Sequence, residues 1–369
     1  MSNLKAQGFI LIDVDVVALN NAGKNTQSNF DNAVGTKRIY KEGRSYVYVS
    51  GQAWRYWWRD TLQKTFNWEL SPITRDSKIA FTEADPIKYA DDDIFGYMKA
   101  ASEEVKDEDG NLKKDKKGNV VKENITVTRV SPLKNSVLVS VGSVTPVENW
   151  SSMARQDGDS VPYGKQEYSA IMKGMFSLDI EQAGTFAIYN KTGFKNLTEI
   201  QKKQALENGA TEIDDKFLKD EKGNSYKLVR LGSSIRQKRI TETILALKNI
   251  SGGAMQTNNM GDVTPKFIVL ATLNSGNHPF SHIASSAGAK DDIADLNINA
   301  LKEVLKDYQN NIQGTVFIGR RSGFFDDKTE ALKNLEKEFS NVKVLTINEA
   351  IDQYTEQLKN QISNESFQN

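Results

Sequence analysis

The chain has 369 residues, with 48 Lys/Arg balanced by 48 Asp/Glu and no cysteine, enough for a sizeable core in one large domain with insertions or in two domains. The missing cysteines exclude disulfides and thiolate metal sites. Zero net charge argues against a freely diffusing, non-specific DNA binder, yet it allows a single basic groove working inside an assembly.

In chain order, Phe9–Leu19 (FILIDVDVVAL) reads as a central strand rich in Ile and Val. Its apolar run is broken by Asp13 and Asp15, which departs from a signal-peptide pattern, and no apolar run is long enough to cross a membrane as a helix. A cytoplasmic protein is expected. Asn20–Asn32 is polar and should be a loop, and Tyr46–Val49 a short strand. Ser50 is a fitting N-cap for a helix over Ser50–Leu62, in which Trp54, Trp57, Trp58 and Leu62 share one face. Arg55 and Arg59 flank that stripe at i, i+4, with Arg38 and Arg44 just upstream. The tryptophans read as core. The arginines fit a solvated flank or a ligand backbone equally well.

Asp91–Asp93 form an acidic cluster best read as solvated caps or turns, and no metal is expected there. Residues 103–123 are mixed-charge and read as an insertion. Asn124–Val141 reads as extended pieces broken at Ser131-Pro132, and about 142–170 as a protruding hairpin with Met153, Arg155 and Lys165. A strand pattern interrupted by Gly184 follows, and then a polar connector over 190–227 with a helix at Leu197–Leu206.

The stretch from Gly232 to Asn259 reads as a helix burying Ile240, Ile244, Leu247 and Ile250, with Arg236, Lys238 and Arg239 toward its loop-facing end. Gly252-Gly253 lets backbone N–H groups approach a ligand closely, and Gln256, Thr257, Asn258 and Asn259 are polar. Lys266–Leu273 should be a strand. His278 and His282 have metal-like spacing, but Pro279 interrupts them and a third ligand is lacking, so no metal is assigned. From Asp291 to Leu358, helices alternate with strands, which points to α/β packing on the same sheet.

The usual nucleophile–base pairs, a Walker sequence and a dinucleotide fingerprint are all missing. Two basic elements, 37–59 and 227–248, adjoin predicted strands. Arg/Lys, backbone amides and short polar donors are what binding a single strand through its backbone requires. The residues alone therefore favour a nucleic-acid binder over a structural oligomer subunit or an enzyme.

Three ordered blocks, VYVSGQAWRYWWR, DIFGYM and IRQKRITETILALKNISGGAMQTNNMGDVTPKFIVLA, resemble the repeated backbone subunit of type I CRISPR surveillance complexes, in the subtype I-B/DevR-like branch of the RAMP superfamily. The resemblance implies an α+β, RRM-like (ferredoxin-like) palm with inserted finger and thumb subdomains. The palm would start at 1–66 and a finger-type insertion would occupy 67–123. Palm strands with the thumb hairpin at about 142–170 would fill 124–190. The connector, basic helix, glycine loop and a palm strand would fill 191–273, with C-terminal helices and strands over 274–369. Implied partners are crRNA, target DNA through the guide, further copies of the chain, and the large, 5′-handle-binding and crRNA-processing subunits. No cofactor is implied.

Carried over residue by residue, Arg38, Gln52, Arg55, Arg59, Arg236, Arg239, Gly252, Gly253, Gln256, Thr257 and Asn258 would contact RNA, and Met153, with Arg155 and Lys165, would be the thumb wedge. The backbone subunit of type I systems is not a nuclease. A related type III subunit cuts target RNA through an aspartate, and Asp31 keeps that alternative open.

Overall fold

The computed structural model describes every residue except 1–2, 30, 77–78, 101, 105–111, 113–118, 125, 154–156, 190–194, 287–292 and 366–369. The chain divides into two compact units. One comprises Met1–Phe66, Lys134–Leu178 and Thr241–Gln361, and the other Asn67–Leu133, Asp179–Ile240 and Ile362–Asn369.

The first unit is built on a mixed sheet. Among its strands are β1 (Lys5–Val17), β2 (Arg38–Lys41), β3 (Arg44–Val49), β4 (Leu138–Ser140), β5 (Val147–Met153), β6 (Val161–Asp179), β7 (Phe267–Leu273), β8 (Val316–Arg320) and β9 (Val342–Leu345). The sheet runs β9-β8-β7-β1-β6-β4-β3-β2, with β5 paired to β6 as a hairpin. Between β3 and β4 comes helix α1 (Gly51–Phe66), and before β7 comes the helix Ser233–Leu245, whose last residues belong to this unit. The path β1-α1-β4-β6-helix-β7 is therefore βαββαβ, with its four strands in the spatial order 4-1-3-2 of a ferredoxin-like core. The fold is mixed α+β, a central sheet flanked by helices.

Local sequence accounts for these elements. β1 lies inside the sheet, and Phe9, Ile10, Leu11 and Ile12 are all buried, as an apolar run covered on both faces requires. Helix α1 begins at Ser50, whose Oγ accepts the Ala53 N–H at 3.3 Å. Its tryptophan face is core: Trp58 meets Phe176 edge-on at 5.2 Å and donates its indole N–H to the Thr243 carbonyl at 2.7 Å, so the polar end of the ring is satisfied. The other sheet face carries a second core, in which Phe9, Leu11, Phe267, Val269 and Ile318 pack with Phe280 and with helices α2 (Ile298–Asp307) and α3 (Thr329–Glu338). β8 and β9 pair in parallel across α3, as the alternating pattern near the C-terminus predicts, and helix α4 (Ile347–Glu365) follows.

The second unit holds helix Glu199–Glu207, closed by a capping box at Thr198 and Gln201, and a three-stranded sheet of Thr185–Ala187, Ser225–Arg230 and Thr211–Lys219. Phe186, Leu197, Ala205, Val229 and Leu231 form its small core. Two expectations need correction. The polar connector over 190–227 contains a β-hairpin, hidden because most side chains of TEIDDKFLK face water and leave no alternation to read. The expected loop over 20–32 contains the strand Asn21–Lys24, paired with Val34–Thr36 and equally exposed.

Candidate nucleic-acid interface

Four segments of the first unit meet along α1. The Ser50 N–H donates to Asn20 Oδ1 at 2.7 Å, and Asn135 Nδ2 donates to the Gly51 carbonyl at 3.2 Å. The Ser251 N–H donates to Thr61 Oγ1 at 3.4 Å, and the Ala254 N–H to the Leu19 carbonyl at 3.0 Å. The glycine loop thus lies directly over α1. Its glycines have a packing reason: a Cβ on Gly252 would sit 2.2 Å from the Trp57 ring, and one on Gly253 2.6 Å from Leu19.

On this corner Gln52 is exposed, and Arg55 and Arg59 are half-buried. Arg55 donates to Asn135 Oδ1 at 3.1 Å. Burial, reinforced by the like charge of Arg59, pulls the Arg55 pKa down to about 10. A neighbouring anion would oppose both effects by favouring the charged guanidinium. Thr257 and Asn258 are exposed on the short helix Gln256–Asn259. Gln256 is turned inward, donating to the Gly252 carbonyl and to that of Gly261, so its amide staples the loop. Arg38 is half-buried, beside Lys37, whose N–H donates to the Asn20 carbonyl at 3.1 Å.

Arg236 and Arg239 have a different environment. Both lie in the second unit at 2% and 6% exposure. Arg236 donates to the Ala183 and Ile180 carbonyls at 3.0 and 2.7 Å. Arg239 donates to the Pro86 and Ile87 carbonyls and, at 2.8 Å, to Asp93. Asp93, also fully buried, pairs with Arg129 and accepts from the Gly184 N–H. These two arginines hold the second unit together, which corrects their expected place at the ligand. The same finding corrects Asp91–Asp93: all three are buried in the short helix Ala90–Phe95, where burial pushes the Asp92 carboxyl up despite hydrogen bonds that oppose it. The deciding partner lies 146 residues away along the chain.

The β5–β6 hairpin pairs Val147 with Glu167 through to Met153 with Val161. Met153 is 50% exposed, and Trp150, on the opposite face of the strand, is 66% exposed. Strand alternation would have singled out Trp150 as well. Lys165 pairs with Glu167 at 2.7 Å, and Arg155 lies outside the described residues. Glu167 also accepts from Asn149 at 3.0 Å and from Asn259 at 2.7 Å, while Asn259 donates to the Val16 carbonyl. Burial opposes ionisation of Glu167, but these donors outweigh it and hold its carboxyl below the usual range. One carboxylate therefore ties the hairpin base to the polar loop. Sequence carries no signal of this node, since its members are 18 and 92 residues apart.

His278 stands against the Gly8 carbonyl at 3.0 Å, His282 is exposed, and Asp31 is an exposed turn residue. Among the described residues no helix is long and apolar enough to cross a membrane.

Residues 11–293 match a family model described as CRISPR-associated negative auto-regulator DevR/Csa2. No curated protein matches the chain. A chain of a solved "CRISPR RNA-guided surveillance complex, pre-nicking" superposes with a TM-score of 0.50 at 10% identity, covering 96% of this chain and 100% of that one. A chain of a "CRISPR RNA-guided surveillance complex" superposes at 0.49 with 7% identity, covering 96% and 99%. At that identity the first likeness speaks to the fold.

Proposed function

The chain belongs to the CRISPR-associated DevR/Csa2 family, and from that premise we propose that it is a non-catalytic guide-RNA-binding backbone subunit of a type I CRISPR interference complex, of subtype I-B. The observation that carries this reading is the face of α1 on which exposed Gln52 stands with the half-buried, like-charged Arg55 and Arg59 at i, i+3, i+7. Guanidinium, amide and hydroxyl groups hold a phosphate backbone without reading bases. Arg38, Gln52, Arg55, Arg59, Thr257 and Asn258 are the contacts, with the loop backbone at Gly252 and Gly253. Copies of the chain line up along the guide, and the hairpin bearing Met153 and Trp150 separates short guide segments that pair with target DNA.

The test is the nucleic acid that co-purifies with the protein and the behaviour of R55A/R59A. Discrete RNA of uniform length on a multimer is expected. The double variant should lose RNA retention equally across guide sequences, with a log–log salt slope reduced by about 0.7 per phosphate contact removed. An apo monomer at high concentration, or unchanged retention in R55A/R59A, would overturn the reading.

A further inference from the structure

The sheet face opposite α1 has an unused feature at its β2–β3 edge. Val47 and Val49 are fully buried on the α1 side, so Arg44, Tyr46 and Tyr48 stand on the other face. Register puts Ile39 across from Tyr46 and Lys41 across from Arg44, and it aligns Tyr48 with Val139 and then with Lys173 of β6. The two tyrosines, Arg44 and Lys173 are half-buried, while Ile39 and Lys41 are exposed. The result is a ledge four strands wide, β2-β3-β4-β6, with two aromatic rings in its middle and three cations around them. Its inner border is the turn Pro279–His282, where Lys173 donates to the Ser281 carbonyl at 3.2 Å.

Two features of this ledge are unfavourable in the isolated chain. Lys41 and Arg44 are like charges directly opposite one another on adjacent strands, an arrangement that destabilises a sheet. Burial, and then the charge of Lys41, hold the Lys173 pKa below the usual lysine value. A polyanion laid over the ledge would relieve both. The spacing of Arg44, Tyr46 and Tyr48 (a base, then aromatics two and four residues on) is that of sheet surfaces which stack successive bases of a single strand. Rings at i and i+2 stand about 6.8 Å apart, so they suit a splayed strand better than a duplex.

We propose that the ledge formed by Lys41, Arg44, Tyr46, Tyr48 and Lys173 is a second binding site, for single-stranded nucleic acid, on the sheet face opposite the α1 corner. Bases stack on Tyr46 and Tyr48, and phosphates lie against the three cations. The site stands independently of the guide-binding reading, because no residue is shared between them.

The experiment uses the full chain and fluorescent 12-nucleotide RNA and DNA single strands carrying 5-iodouracil, with wild type, Y46A/Y48A, Y46F/Y48F, K41A/R44A and R55A/R59A. Photocrosslinks are expected at Tyr46 or Tyr48. Binding by R55A/R59A should persist at this ledge, and adding Y46A/Y48A should weaken it by roughly tenfold per lost stack. Y46F/Y48F should retain affinity, which a hydroxyl-dependent role would not give. K41A/R44A should lower the salt slope by about 0.7 per contact. The RNA and DNA arms identify which strand is preferred. Crosslinks absent from 39–48 with unchanged affinity in Y46A/Y48A would overturn the proposal, as would a change in self-association alone. Loss of all binding in R55A/R59A with the ledge intact would overturn it too, while leaving the guide-binding reading in place.

Discussion

Two pairs of arginines on two amphipathic helices have opposite fates. Arg55 and Arg59 stand half-buried on α1, where Arg55 donates to the Asn135 amide oxygen. Arg236 and Arg239 are inside the second unit, where backbone carbonyls take up both and Asp93 neutralises Arg239. In sequence the pairs look alike, each basic and each beside an apolar stripe. What separates them is whether a buried carboxylate and free carbonyls wait where the guanidinium arrives. A cation with such partners is structural, and the like charge of Arg59 beside Arg55 is the feature on which the proposed guide contact rests.

The largest expected effect tests the structural half of that contrast. R239A strips Asp93 of one of its two arginine partners in a dry site and should destabilise the second unit by about 3–5 kcal/mol, measured by denaturant unfolding. Wild-type stability in R239A would mean that the pair is not coupled to the fold. Next, R55A/R59A should lower RNA affinity by roughly tenfold to a hundredfold per charged hydrogen bond lost, measured by filter binding, with the unfolding midpoint nearly unchanged. A stability loss without an affinity loss would place these arginines in the same class as Arg239.

A smaller effect is expected at the loop that overlies α1. G252A drives a methyl into the Trp57 ring and should cost about 1–3 kcal/mol, seen as a shift in thermal midpoint and as faster hydrogen exchange over 251–256. If RNA binding falls while that exchange is unchanged, the glycine serves the ligand and not the packing. The smallest effect concerns Glu167. Its folded pKa lies below the ordinary value, so its contribution is present above the unfolded-state pKa of about 4.3 and is lost as pH falls through the folded value. Stability measured from pH 6 to pH 3 should therefore fall more steeply in wild type than in E167Q. Parallel profiles would show that the carboxylate does not tie Asn259 to the hairpin.

Much of the first unit was legible in the chain. Tryptophans at helical spacing, Ser50 before them and the Ile/Val run at Phe9–Ile12 are local patterns, and local patterns answer to backbone geometry within a few residues. The candidate site was legible only in part. Arg55, Arg59 and the polar loop are visible as basic and polar stretches. Trp150 stands alone in a polar run, and the Glu167 node joins residues too far apart for any window to link. The hairpin of Thr211–Lys219 and Ser225–Arg230 is hidden for the opposite reason: its first strand is mostly exposed, and Val229 alone marks the buried side of its second.

By itself, the sequence determined that α1 is a helix with a buried indole face, that β1 is central, and that the C-terminal third alternates strand and helix. Each of these follows from periodicity and burial along one element. Only the tertiary structure decided that Arg236 and Arg239 turn inward to backbone carbonyls and, for Arg239, to Asp93. It also decided whether three adjacent aspartates meet water or the interior. The energy of a charge depends on its dielectric surroundings and its partners, and here those partners arrive from parts of the chain more than a hundred residues away.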